Sequence, residues 1–419
     1  MPVKKGMKNL NIAKLLRPDE QVTLALRSLY EQYGYKKYRM SKFEEYDFYT
    51  KNKDFLSSQE IITFTDLDGK LMALKPDVTL SIVKNTRADE ACEKLYYTEN
   101  VYRAARGRRE YKEIFQIGLE FIGRVTPYIN VETVNLALKS LALIKEDYVL
   151  DVSHMGFLTG LLDSLAVDDT VKMEILDCLV EKNNHELQKI VANQSLTEEE
   201  GRWLAALVGL SGPLPETLAK ARALTAEVAA GIPPQIGTGG QAEALARGPL
   251  GQAAAKAEAK DRALAAMLAA LAELECLSGA LAVLPEAKNL RLDFSISSDA
   301  KYYNGLMLRG YVAGVPRAVL SGGRYDPLLR RLGKKRLEAI GFAIYFDELE
   351  RYLKSLAEEI KDLVVLYDEK SSLTVLTRTV EEAVSRGLTV RATDHLPKGL
   401  QARRLVKING EKAEEAAND

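Results

Sequence analysis

The chain has 419 residues, more than one small domain needs, and 47% of them are hydrophobic, the ordinary share for a folded globular protein. Lysine plus arginine (58) and aspartate plus glutamate (59) cancel, which excludes a global basic footprint for nucleic acid and leaves only local patches. Cys92, Cys178 and Cys276 lie far apart, which argues against a disulfide framework and fits a reducing, cytoplasmic setting.

His154, His185 and His395 share no ligand spacing with cysteine or acid, so no metal site is expected. Lys4 and Lys5 precede a polar stretch rather than the apolar core of a signal peptide, and no membrane-length apolar run stands out.

In chain order, residues 18–34 read as an amphipathic helix ending at Gly34, a residue suited to a helix C-terminus. Residues 35–44 look extended. Residues 60–74 have a hairpin pattern, IITFT and KLMAL about the turn Asp66-Leu67-Asp68-Gly69. A helix starts near Leu80, directly after Lys75-Pro76-Asp77-Val78-Thr79. Asp77 or Thr79 is either that helix's N-cap or a contact for a ligand ammonium. Residues 95–123 read as a second hairpin, residues 131–143 as a helix and residues 148–153, YVLDVS, as a strand.

From residue 155 to 285 alanine and leucine dominate and strand signals vanish, so this stretch is expected to be a helical insertion. Residues 252–273 read as a helix packed through small side chains, and Trp203 as a core anchor. Strands return at 289–296, where Leu290, Leu292, Phe294 and Ile296 share one face. Tyr302-Tyr303-Asn304-Gly305 opens a strand running to about 312. Residues 317–321 lead into Gly322-Gly323-Arg324-Tyr325-Asp326 and a short helix; the glycine pair is either a plain turn or backbone brought close to an anion. A strand at 339–345 and a helix at 347–360 follow. A small α/β module comes last, with strands at 363–367, 389–392 and 405–408, a helix at 374–385 and a charged, alanine-rich tail expected to fray.

The hairpin LYYTENVYRAARGRREYKEIFQIGLEFIG carries the most chemistry. Side chains alternate along a strand, so Phe115, Ile117, Leu119 and Phe121 share a core face, and Gln116, Gly118 and Glu120 share the other. An amide and a carboxylate separated by a glycine describe a polar floor with room above it. The alternatives are a solvated face and a bulge at Gly118. An open antiparallel sheet entered by local hairpins and interrupted by helices makes the chain α+β. The expected divisions are residues 1–154, the insertion 155–285, the rest of the sheet domain 286–360 and the module 361–419.

Five segments in order, residues 34–44, 74–79, 102–123, 302–305 and 321–328, resemble the catalytic domain of histidyl-tRNA synthetases. LDVSHMGFLTGLL and LRLDFSISSDAKYYNGLMLRGY are more similar to the synthetase-like regulatory subunit of ATP phosphoribosyltransferase, the first enzyme of histidine biosynthesis. The resemblance covers roughly residues 18–350 and implies a class II aminoacyl-tRNA synthetase-like antiparallel sheet flanked by helices. It implies a histidine pocket of Asp77, Thr79, Arg103, Gln116, Glu120, Tyr302 and Tyr303, with a carboxylate and a hydroxyl for the ammonium and a carboxylate and a phenol for the two imidazole nitrogens.

The departures from the ligase pattern fall where ATP is handled. Ser298 stands four residues before the tyrosine pair in place of an arginine, and Glu348 in place of the arginine that ends the third signature. Ser41 replaces a proline, and Ala105 an acidic residue. Adenylate formation needs fixed cations on a phosphate, so the expectation is a pocket that holds histidine beside a disabled activation site.

The resemblance thus implies a non-catalytic regulatory subunit under feedback by L-histidine, paired with a short-form ATP phosphoribosyltransferase catalytic subunit, self-associating as a dimer, with no tRNA, membrane or cofactor. The alternatives are an active histidine–tRNA ligase and a paralogue with another ligand. The basic tip Arg106, Arg108, Arg109 and Lys112 is either a solvated hairpin end or a partner contact.

Overall fold

The computed structural model describes residues 16–56, 61–87, 92–104, 110–165, 167–194, 196–231, 249–296, 302–356, 362–396 and 402–416. Contacts divide the chain into a large unit, Ala25–Leu349, and a small one, Met1–Leu24 with Glu350–Asp419.

The chain opens with helix α1 (Pro18–Gln32), strands β1 (Lys36–Lys37) and β2 (Phe43–Glu45), and helix α2 (Tyr46–Thr50). Strands β3 (Thr63–Thr65) and β4 (Leu71–Leu74) form the expected hairpin about Gly69, and β2 pairs with β4 to make a three-stranded sheet. Helix α3 (Thr79–Asn85) follows. The long hairpin is β5 (Cys92–Ala104) and β6 (Tyr111–Gly123), paired without a bulge from Cys92 opposite Gly123 to Ala104 opposite Tyr111. The tip residues Arg106, Arg108 and Arg109, and Ala105, lie outside the described residues; Lys112 is an exposed residue of β6.

Helix α4 (Pro127–Ile144) starts on a Thr126 cap, with proline in its first turn where a missing N–H costs nothing. Strand β7 (Tyr148–His154) and helices α5 (Met155–Ser164), α6 (Asp169–Val180), α7 (Asn184–Asn193) and α8 (Glu198–Val208) come next. Then follow β8 (Ser211–Pro213), α9 (Leu214–Ala230) and the long α10 (Pro249–Leu281). The unit closes with β9 (Leu290–Asp293), β10 (Leu306–Val312), β11 (Leu320–Arg324), α11 (Asp326–Arg331), β12 (Glu338–Tyr345) and the start of α12 (Phe346–Leu356).

Among the described residues these strands build a nine-stranded sheet in the order β1-β5-β6-β12-β11-β10-β7-β9-β8, antiparallel except for β1 with β5 and β7 with β9. Cross-strand pairs share a face, so Ile117, Leu119 and Phe121 lie with Ile340, Phe342 and Ile344 on the buried core side. Gln116, Gly118 and Glu120 lie with Gly341, Ala343 and Tyr345 on the opposite side.

Four sequence expectations are corrected. The glycine pair Gly322-Gly323 is inside β11, not in a turn, because pairing with both β10 and β12 holds it extended. The insertion is not strandless: Ser211–Pro213 pairs with β9, a stretch too short to show alternation. Glu258–Leu281 of α10 is, by length and composition, long and apolar enough to cross a membrane. Alanine makes it so. Its stripe of Ala263, Met267, Ala270, Leu274, Leu277 and Leu281 is buried, and the helix packs on α5, α9 and α4, as an interior helix does. The approach is close because Gly160 of α5 has no side chain: a Cβ there would sit 2.7 Å from the Ala263 carbonyl oxygen. Trp203, buried in α8, stands as the expected anchor.

The fourth correction concerns the small unit. There β13 (Leu363–Leu366), α13 (Leu373–Ser385), β14 (Val390–Thr393), β15 (Leu405–Asn409) and β16 (Lys412–Ala416) form a four-stranded sheet in the order β14-β13-β15-β16. The charged tail expected to fray is β16, turned back through Gly410 at φ 56° and held by Arg404–Glu415 and Asn409–Glu414 hydrogen bonds of 2.9 and 2.8 Å.

Candidate functional site

A pocket of about 150 Å³ lies on the Gln116–Glu120 face of the sheet, well below the roughly 300–1,000 Å³ of drug-sized sites. Asp77, Thr79, Arg103, Gln116, Glu120, Tyr302 and Tyr303 all line it, so the structure brings the seven expected residues together. Strand β6 supplies the floor, the turn before α3 supplies Asp77 and Thr79, and the segment leading into β10 supplies the tyrosine pair. Sequence reasoning missed Tyr97, Tyr325, Tyr345 and Phe55. The signal for Tyr97 was available: it is the register partner of Gly118 in the hairpin.

That pairing corrects one expectation. The room above Gly118 is taken by the Tyr97 phenol, which a Cβ at 118 would strike. Glycine serves Glu120 in the same way, because its carboxylate lies across Gly341 of β12, where a Cβ would overlap it.

Glu120 is buried, with 3% of its surface exposed. One carboxylate oxygen accepts from the Thr79 hydroxyl at 2.8 Å and the other from the Tyr325 phenol at 2.7 Å. Burial still pushes its pKa up to about 8; the two hydrogen bonds pull the other way and the neighbouring Asp77 adds to the rise. Of the two roles left open by the sequence, the structure shows Asp77 in the capping one. Its Oδ1 accepts from the Leu80 N–H at 2.9 Å, capping α3, while Oδ2 lies 3.5 Å from an Arg103 guanidinium nitrogen at the pocket wall. Burial raises the Asp77 pKa, and Arg103 counters it.

Gln116 is 3% exposed, and its Nε2 has no hydrogen-bond partner. A buried amide left unpaired is costly, and this one lies at the pocket wall with its donor unused. Tyr302 meets Tyr303 edge-on at 4.8 Å and lies 5.9 Å from Tyr325 and 6.0 Å from Phe55. Burial, with nearby carboxylates, holds the phenols of Tyr97, Tyr302 and Tyr325 well above their usual pKa, so they remain hydroxyl donors at neutral pH. The arrangement suits a small ligand that carries a cation and a flat ring.

The cations needed for nucleotide chemistry are differently placed. Arg103 is engaged, donating to the Pro76 carbonyl at 2.7 Å besides facing Asp77. Glu348 does not line the pocket and pairs with Arg317 at 3.2 Å. Ser298 lies outside the described residues. Ser41 accepts from the Phe43 N–H at 3.3 Å.

Sheet and pocket together define an amino-acid-sized site on an antiparallel sheet of the class II synthetase type. A family model for histidyl-tRNA synthetase matches residues 14–232 and 240–349, and the chain belongs to that family.

Among curated relatives, an ATP phosphoribosyltransferase regulatory subunit from Desulforamulus reducens is 26% identical over 376 residues, 86% of this chain and 82% of that protein. A histidine–tRNA ligase from Methanocaldococcus jannaschii is 24% identical over 346 residues, 81% of this chain and 73% of that protein. Of solved structures, an ATP phosphoribosyltransferase regulatory subunit/histidyl-tRNA synthetase from Bacillus halodurans superposes with a TM-score of 0.67 at 20% identity, covering 93% of this chain and 94% of that one. A chain of the ATP phosphoribosyl transferase (HisG:HisZ) complex from Thermotoga maritima gives 0.53 at 16% identity, covering 77% and 96%. These structural likenesses establish the fold, which is that of class II histidyl-tRNA synthetases.

Proposed function

We propose that this chain is a non-catalytic regulatory subunit of ATP phosphoribosyltransferase that binds L-histidine and mediates feedback on the first step of histidine biosynthesis. The observation that carries the reading is a contrast between the pocket and the positions where a ligase holds ATP. Glu120, the unpaired Gln116 amide and the tyrosines are set for an amino acid, while Arg103 is already neutralised by Asp77 and Glu348 is an acid paired to Arg317. The regulatory-subunit names among the relatives support the same choice.

In this reading Asp77 and Thr79 meet the ligand ammonium, Glu120 and the Tyr302–Tyr303 pair meet the imidazole, and Gln116 donates to the ligand. The chain works in the cytoplasm as a dimer with a short-form catalytic subunit, without tRNA. Its parts divide near residues 154, 285 and 360. Histidine acts by binding the active and inhibited arrangements of the assembly with different affinity.

The test is calorimetric titration of the chain with L-histidine beside an ATP- and tRNA-dependent aminoacylation assay. Binding without aminoacylation is the expected result. Aminoacylation would instead establish the ligase reading, which the Methanocaldococcus relative keeps in view.

A further inference from the structure

Three separate stretches of the large unit carry basic residues and no acidic ones: KNK at 51–53, KNTR at 84–87 and RRLGKKR at 330–336. The fold brings them together. The Arg331 guanidinium donates to the Lys51 carbonyl at 3.4 Å, and Lys334, 9% exposed, donates to the carbonyls of Lys84 and Thr86. Lys334 therefore fastens the 330–336 turn to the end of α3, while Lys51, Lys53, Arg330, Arg331, Lys335 and Arg336 remain exposed around it. Among the described residues, Glu44 meets this face, on Lys84. Helix ends account for part of the pattern, since α3 and α11 both finish here and cations suit helix C-termini. They also account for Lys51, which caps the C-terminus of α2, but not for Lys335 and Arg336, which lie beyond α11.

We infer that this basic face is a docking surface for an acidic patch on a protein partner, the catalytic subunit of the reading above, on which the inference rests. Two features favour a protein over nucleic acid. The chain's net charge of −1 gives a polyanion no long-range attraction, whereas local charge complementarity acts within a Debye length. The three stretches also contain no aromatic residue, so they offer no platform for stacking bases.

The experiment measures association of the full chain with the short-form catalytic subunit by surface plasmon resonance across a salt series. It compares the wild type with Lys51→Glu/Lys335→Glu/Arg336→Glu and with the corresponding triple glutamine variant. None of these residues lines the histidine pocket. The expected result is an on-rate that falls about tenfold or more with added salt in the wild type. Charge reversal lowers it about as much at low salt, the glutamine variant falls between, and the L-histidine titration is unchanged. Wild-type association that neither charge change alters would overturn the inference and leave the regulatory reading intact. Failure of the wild type to associate at all would sink that reading and the inference with it. Retention of duplex RNA by the wild type but not by the charge-reversed chain, with catalytic-subunit binding unaffected, would assign the face to nucleic acid instead.

Discussion

Glu120 holds a carboxyl group whose folded pKa, about 8, lies far above its ordinary 4.5. Below pH 4.5 both folded and unfolded chains carry the proton, and the group has no effect on stability. Between 4.5 and 8 the unfolded chain ionises and the folded one resists, so stability is lost as pH rises, on the order of a few kcal/mol across the window. Glu120→Gln keeps hydrogen-bonding atoms for Thr79 and Tyr325 but cannot ionise. Thermal melts should show no advantage over wild type near pH 4.5 and a growing one up to pH 8. A free imidazole is mostly neutral at pH 7, so the Glu120 proton passes to it on binding, and the calorimetric heat should vary little with the buffer's ionisation enthalpy.

Gln116→Leu gives a second residue-scale signature. Removing a buried, unpartnered amide should stabilise the empty protein by about 1 kcal/mol while weakening histidine binding about tenfold or more. A structural glutamine would lose stability instead.

At the scale of elements, glycines decide how closely strands and helices approach. Gly341→Ala pushes Glu120 off its neighbour strand and should cost about 1–3 kcal/mol in chemical denaturation together with histidine affinity. Gly160→Ala crowds α5 against the Ala263 carbonyl and should cost a similar amount, yet leave histidine affinity unchanged, because α5 and α10 supply nothing to the pocket. A pair of equal stability losses with unequal binding losses would separate the sheet's part in the site from that of the helices.

For the whole molecule, the prediction concerns coupling. Glu120→Ala in the assembled enzyme should weaken histidine binding about 10- to 100-fold, as loss of a charge-assisted contact does, and relieve feedback inhibition by the same factor while assembly persists. Assembly lost on this substitution, read by sedimentation, would make Glu120 structural and not a ligand contact.

Much of this protein was legible along the chain. The period-2 alternation of IFQIGLEFIG determined which face of β6 is core and which carries Gln116 and Glu120, because a strand's geometry leaves no third choice. Asp77 beside Pro76 and the tyrosine pair were recognisable by type and order. Tertiary structure alone decided the rest. Tyr97 and Tyr325 enter the pocket through cross-strand register and the seating of α11, relations between residues far apart in sequence. The strand partners of Ser211–Pro213 and of the C-terminal tail lie elsewhere in the chain, so short or charged segments carried no local sign of pairing. Glu120's pKa arose the same way: the residue was written in the sequence, but the burial that holds its proton near pH 8 exists only when β12, Thr79 and Tyr325 close around it.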